Sequence, residues 1–128
     1  MSPARILVVD DNLTNLKLAV DVLEFEGYEV HRAENAEEAQ AVVKRSPPDL
    51  ILMDIQMPGM DGLTLTRKLK ADPTTGGIPI VAMTSFAMKG DEQKALDAGC
   101  DGYITKPIDT RSLPGQVAGV LERGKMER

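Results

Sequence analysis

Polar side chains capable of chemistry follow directly on short apolar runs at several points in this sequence. Ile6 to Val9 leads into Asp10 and Asp11, Leu50 to Met53 into Asp54, Ile78 to Met83 into Thr84, and Gly102 to Thr105 into Lys106. Three carboxylates gathered within a few ångströms repel one another and raise one another's pKa values unless a cation offsets them. A hard divalent ion such as Mg²⁺, which prefers octahedral oxygen ligands and keeps several waters, would do so. A carboxylate is also a nucleophile toward phosphorus. Transfer of a phosphoryl group depends mainly on positioning and on charge stabilisation, which an ammonium and a hydroxyl can supply. Taken singly these residues say little, since an Asp at a strand end is most often a turn or helix cap. Their coincidence at successive strand ends points to one cleft with convergent polar groups.

The elements that must position them can be read from periodicity. Arg5 to Asp10 reads as a first strand, and its unbroken Ile and Val content suits a strand buried on both faces. Leu13, Leu16, Val20 and Leu23 then recur at helical spacing, with Gly27 as a stop. Tyr28 to Ala33 alternates and predicts a strand nearer the sheet edge. Ala36 to Arg45 is a helix, and Pro47 and Pro48 break the chain before the third strand, which ends on Asp54. A helix is expected over Asp61 to Lys70, burying Leu65 and Leu69. A fourth strand covers Ile78 to Met83, and a helix runs from about Ala87 to Ala98, capped by Gly99. After the fifth strand, Gly102 to Thr105, comes a last helix carrying Leu113, Val117, Val120 and Leu121. Strands alternating with helices predict an α/β fold, a doubly wound parallel five-stranded sheet with helices on both faces. Ligands in such sheets bind outside the carboxyl ends of the strands, where these polar residues lie.

Composition narrows the function classes. A chain of 128 residues makes one domain, and with 42% hydrophobic but 3% aromatic residues its core is built from Val, Ile, Leu, Met and Ala. The net charge of −5 opposes a general nucleic-acid binder. Cys100 is the one cysteine, which excludes an internal disulfide and predicts a small core residue. His31 reads as strand surface, and Asp101 and Asp109 as turn and cap residues. The apolar run at Ile6 is far too short for a signal or membrane segment, so a soluble cytoplasmic protein is expected.

The set of an acidic pair after strand one, Asp54 after strand three, Thr84 after strand four and Lys106-Pro107 after strand five resembles the response-regulator receiver family of two-component signalling. The resemblance spans nearly the whole chain, expected as a receiver domain over 1–124 with a polar tail over 125–128. The stretches Phe86 to Glu92, Gly99-Cys100 and Tyr103 to Ile108 look most like DivK-type stand-alone regulators. The resemblance implies a flavodoxin-like (βα)5 sheet of strand order 2-1-3-4-5. It implies that Asp54 becomes a 4-aspartylphosphate, with Thr84 and Lys106 assisting. Mg²⁺, for which Mn²⁺ can substitute, would be held by Asp10, Asp11, Asp54 and Gln56. Thr84 and Tyr103 would form the switch, and Gln56 and Phe86, neither acidic, would tune the lifetime of the acyl phosphate toward slow hydrolysis. The implied phosphodonor is a histidine kinase or a histidine phosphotransfer protein, and an effector protein would bind the face formed by helix four, strand five and helix five. No separate enzyme activity is expected beyond the domain's own phosphorylation and slow dephosphorylation. Pro114 and Gly115 near the start of the last helix weigh against dimerisation through that face, and a monomer that binds neither nucleic acid nor membrane is expected.

Two other classes use related parts. Mg²⁺-dependent phosphotransferases and phosphatases with an Asp nucleophile resemble a DxD pattern after strand one, whereas here the acidic pair is adjacent and the best nucleophile follows strand three. A flavin-binding flavodoxin-like domain needs a hydroxyl- and amide-rich phosphate loop after strand one, where Asp10 and Asp11 would repel the phosphate.

Overall fold

The computed structural model describes residues 3–57, 60–84 and 90–126. The apolar runs are strands of one sheet: β1 (Arg5–Val9), β2 (Glu29–Ala33), β3 (Leu50–Asp54), β4 (Ile80–Thr84) and β5 (Gly102–Thr105). They alternate with α1 (Leu13–Phe25), α2 (Ala36–Arg45), α3 (Gly62–Ala71), α4 (Asp91–Ala98) and α5 (Leu113–Met126). Every neighbouring pair is parallel, as expected for a doubly wound α/β sheet, and the order is β2-β1-β3-β4-β5, the one that the resemblance implies.

All residues of β3 and β4 are buried, which in a parallel sheet requires cover on both faces. The pleat sorts their side chains into two cores. Leu7, Val9, Ile51, Met53, Ile80 and Ala82 pack with Val43 of α2, Leu65 of α3 and Ala95 of α4. Ile6, Val8, Leu50, Leu52, Val81 and Met83 pack with Leu16 and Leu23 of α1 and with Leu113 and Val117 of α5. Helix starts follow local chemistry: the side chains of Asn12, Asn35 and Asp61 accept the amides of Asn15, Glu38 and Thr64 at the N-termini of α1, α2 and α3. Cys100 is buried, and burial raises its thiol pKa, in keeping with a core residue.

Element ends differ from the sequence reading where backbone geometry intervenes. The fourth helix begins at Asp91, because Gly90 takes φ +95, outside the right-handed helical region. The expected first residues of that helix, 87–89, lie outside the described residues, as does Phe86. Asp61 caps α3 rather than starting it. β4 starts at Ile80 instead of Ile78, since Pro79 has no amide to donate to a ladder. α5 continues through Met126, into the polar tail expected over 125–128. A single helical glycine costs only about 1 kcal/mol and need not end a helix.

Candidate functional site

Parallel register aligns the strand ends. Val9 of β1 is paired with Met53 of β3, so the next residues, Asp10 and Asp54, emerge side by side at the carboxyl edge. This is where the strand order reverses, β1 being flanked by β2 and β3. On the other side of β3, Asp54 pairs with Met83, which puts Thr84 one step beyond it at the end of β4. Thr84 in turn pairs with Thr105, and its carbonyl accepts the Lys106 amide at 2.7 Å. The lysine thus leaves β5 along the same edge.

Asp10 and Asp54 are held in the same way. Each directs Oδ1 to the amide two residues on, Asn12 for Asp10 and Gln56 for Asp54, both at 2.9 Å. These Asx turns fix both carboxylates and leave Oδ2 to face the lysine. The Lys106 ammonium is 2.7 Å from Asp10 Oδ2 and 3.3 Å from Asp54 Oδ2, with all three side chains almost wholly buried. Asp11 is exposed yet offers a carboxylate oxygen to the same cluster, in which ligand atoms of Asp10, Asp11 and Asp54 lie within 4.8 Å of one another. A bland role for Asp11 as a helix cap does not apply, since Asn12 caps α1.

Three carboxylates, two of them buried, against one buried ammonium leave an excess of two negative charges at this rim. The Asp54 pKa is pushed up to about 6. Loss of solvation is the main cause, and the charge of Asp10 adds to it. The Gln56 amide and Lys106 act in the opposite direction. An all-oxygen donor set with this charge fits a hard divalent cation such as Mg²⁺.

Gly62 is a part of the site that sequence reasoning did not single out. A Cβ at this position would fall on the carbonyl oxygen of Asp54 and 2.7 Å from Ile55 Cα. The start of α3 therefore packs directly against the backbone that carries Asp54, an approach open only to glycine. The Asp61-Gly62 pair at the helix start is the signal in the sequence, but which backbone it approaches is not. Gly62→Ala is expected to destabilise the protein by about 1–3 kcal/mol, because neither backbone can yield cheaply. An unchanged urea midpoint would show that α3 can move away at no cost.

The remaining expected residues divide by location. Thr84 is fully buried and Tyr103 half-buried, against the core that holds α2, α3 and α4. Gln56 is half-buried beside Asp54. His31 lies on β2 at the sheet edge, 3.1 Å from Glu29 Oε2 and away from the site. Asp109 accepts the Arg111 amide at 2.9 Å and its carbonyl takes the Leu113 amide, bonds of the turn that precedes α5. Asp101 is more than a turn residue. Its Oδ2 accepts the Ile80 amide and pairs with Lys70, each at 2.9 Å.

The profile of the response regulator receiver domain matches residues 6–118. The polar-differentiation response regulator DivK of Brucella anthropi is 47% identical over 106 residues, which cover 83% of this chain and 86% of the relative. In structure the chain is similar to a CheY-like response regulator receiver domain protein from Methanospirillum hungatei. The TM-score is 0.91 at 35% identity, covering 99% of this chain and 100% of that one. It is also similar to the signal receiver domain of a signal transduction histidine kinase from Syntrophus aciditrophicus, with TM-score 0.85, 34% identity and coverage of 93% and 90%. A match of this extent on the sequence, on a sheet of this order, establishes that the chain belongs to the response regulator receiver domain family of two-component signalling.

Proposed function

We propose that Asp54 is the phosphoacceptor of this receiver and that Asp10, Asp11 and Asp54, with the backbone carbonyl of Gln56, hold Mg²⁺. One observation carries this reading: a buried carboxylate, Asp54, shares an ammonium with a second buried carboxylate while a third completes a cluster suited to a divalent ion. The family is in general Mg²⁺-dependent, and the ion when bound supplies positive charge to the transferring phosphoryl oxygens. With a pKa near 6, Asp54 is mostly ionised at neutral pH and so is nucleophilic. Its carboxylate oxygen attacks phosphorus of a phosphohistidine or small acyl phosphate. The new P–O bond forms as the bond to the leaving imidazole or carboxylate breaks, giving an acyl phosphate. Lys106 is near enough to contact the incoming oxygens, and the Thr84 hydroxyl would donate a hydrogen bond to one of them.

Receiver domains interact with kinases, phosphotransfer proteins and effectors. Here the donor would be a histidine kinase or histidine phosphotransfer protein, and the effector would dock on α4, β5 and α5 of a monomer. No described helix is long and apolar enough to cross a membrane, and we place the protein in the cytoplasm. It would act on no separate substrate. Gln56 beside Asp54 is a poor base, which supports slow self-hydrolysis. Incubation with Mg²⁺ and acetyl phosphate should add one phosphoryl group by intact mass, and EDTA should prevent it. A folded wild-type protein that gains no mass with Mg²⁺ present would remove the phosphoacceptor assignment.

A further inference from the structure

Helix α4 is thinly anchored along its length. Of its side chains from Glu92 to Ala98 only Ala95 and Ala98 are buried, and Leu96 stands 48% exposed. Two methyl groups hold a helix weakly, each contributing less than a fully buried large apolar side chain, for which about 1.5–3 kcal/mol is typical. Its C-terminal end is built differently. Gly99 takes φ +106 and its amide closes the helix on Leu96 O, while the Cys100 amide reaches Ala95 O, both at 3.0 Å. Asp101 then clips onto the start of β4. Its amide donates to Ile80 O at 2.7 Å, and its Oδ2 accepts the Ile80 amide.

Lys70, near the end of α3, locks this joint from the other side. Its ammonium is 2.9 Å from the same Asp101 Oδ2 and 2.8 Å from Ile78 O. Its stem lies under Gly99, where a Cβ would sit 2.9 Å from Lys70 Cγ. That contact and the positive φ both require glycine at 99. At its opposite end α3 begins on Gly62, against the Asp54 backbone. One helix of ten residues, roughly 15 Å long at 1.5 Å per residue, therefore joins the Asp54 strand end to the C-terminal cap of α4.

We infer that Lys70 is a positioning residue that fixes the C-terminal end of α4 as a pivot, so that movement of α4 is rotation about Gly99 rather than displacement of the whole helix. The pivot is a property of the unphosphorylated fold. Its use in signalling rests on the phosphoacceptor reading above.

Hydrogen exchange in Lys70→Met tests it, because Met keeps an apolar stem under Gly99 but removes both bonds of the ammonium. The amides of α4, Gly99 and Cys100 should exchange at least tenfold faster, while those of Leu7 in β1 and Ile51 in β3 keep their wild-type rates. Lys70→Arg, which retains a cation, should restore part of the protection. Unchanged exchange in α4, or an equal acceleration in β1 and β3, would overturn the inference. With Mg²⁺ and acetyl phosphate, wild-type exchange should change ahead of Ala95 and stay constant at Gly99 and Cys100. In Lys70→Met the change should spread through both residues, and a wild-type change centred on Gly99 would contradict a pivot there. Failure of the wild type to gain a phosphoryl group would strike the phosphoacceptor reading alone and leave the exchange comparison without acetyl phosphate intact.

Discussion

Asp54→Asn is expected to lose all phosphoryl labelling by acetyl phosphate and, in Mg²⁺-free buffer, to be more stable than the wild type at neutral pH. The first effect follows from replacing the nucleophilic oxygen by an amide, and the second from linkage. Burial raises the folded pKa from 3.8 to about 6, so the neutral form is favoured in the folded state. That contribution to stability is fully present below about pH 4 and is lost as pH rises through about 6. A shift of roughly two units at about 1.4 kcal/mol each makes the ionised carboxylate cost on the order of 2–3 kcal/mol at pH 7 without metal. Asparagine removes this cost and can still accept the Gln56 amide through Oδ1. The two proteins should therefore have similar denaturation midpoints near pH 4 and diverge as pH rises to 7, and Mg²⁺ should narrow the gap. Equal stability at pH 7 without metal would show that Lys106 already compensates the charge of Asp54. Labelling that survived in Asp54→Asn would place the acceptor elsewhere.

Lys106→Met should have the opposite effect on stability. The ammonium is the cation shared by two buried carboxylates, at 2.7 and 3.3 Å, and Met fills similar volume without charge. Removing one partner of a buried ion pair costs about 3–5 kcal/mol when the remaining charge is uncompensated. Protonation of Asp54 in the variant limits that cost, so a loss of about 2–4 kcal/mol at pH 7 is expected in Mg²⁺-free buffer. The variant should still bind Mg²⁺, because its carboxylate ligands remain. Saturating the ion at about 100 times its Kd should return roughly 2.7 kcal/mol, more than any generic salt effect. Thermal unfolding with Mg²⁺ and with an equal ionic strength of NaCl separates the two. A variant as stable as the wild type without metal would mean that the buried pair contributes nothing net to folding. Effector binding in the phosphorylated variant reports separately on the lysine's role in output, where loss of coupling is expected.

How much of this was legible beforehand depended on whether a feature is local in the chain. The unbroken apolar run Leu50 to Met53 required a strand buried on both faces, and β3 is buried throughout. Pattern alone placed Asp10, Asp54, Thr84 and Lys106 at strand ends, because a polar residue that terminates an apolar run must emerge at the rim. The alternation in Tyr28 to Ala33 likewise marked an edge strand, observed over Glu29–Ala33. Boundaries set by backbone sterics were less accessible. Gly90 sets the start of α4 through a positive φ that composition cannot distinguish from a helical glycine.

From the sequence alone follow the fold class and the identity of the polar groups at the sheet rim, since periodicity and strand termination are properties of consecutive residues. Only the tertiary structure decided how those groups are paired. Register sets Asp10 against Asp54, and the path of the chain after β5 brings Lys106 between them. The Asp54 pKa is likewise a tertiary property, because burial and the nearby Asp10 charge come from strands far apart in the chain. Gly62 and Lys70 stayed hidden for the same reason. One is defined by a backbone it touches, Asp54, and the other by Ile78, Gly99 and Asp101, and such approaches exist only once the sheet has brought separate elements together.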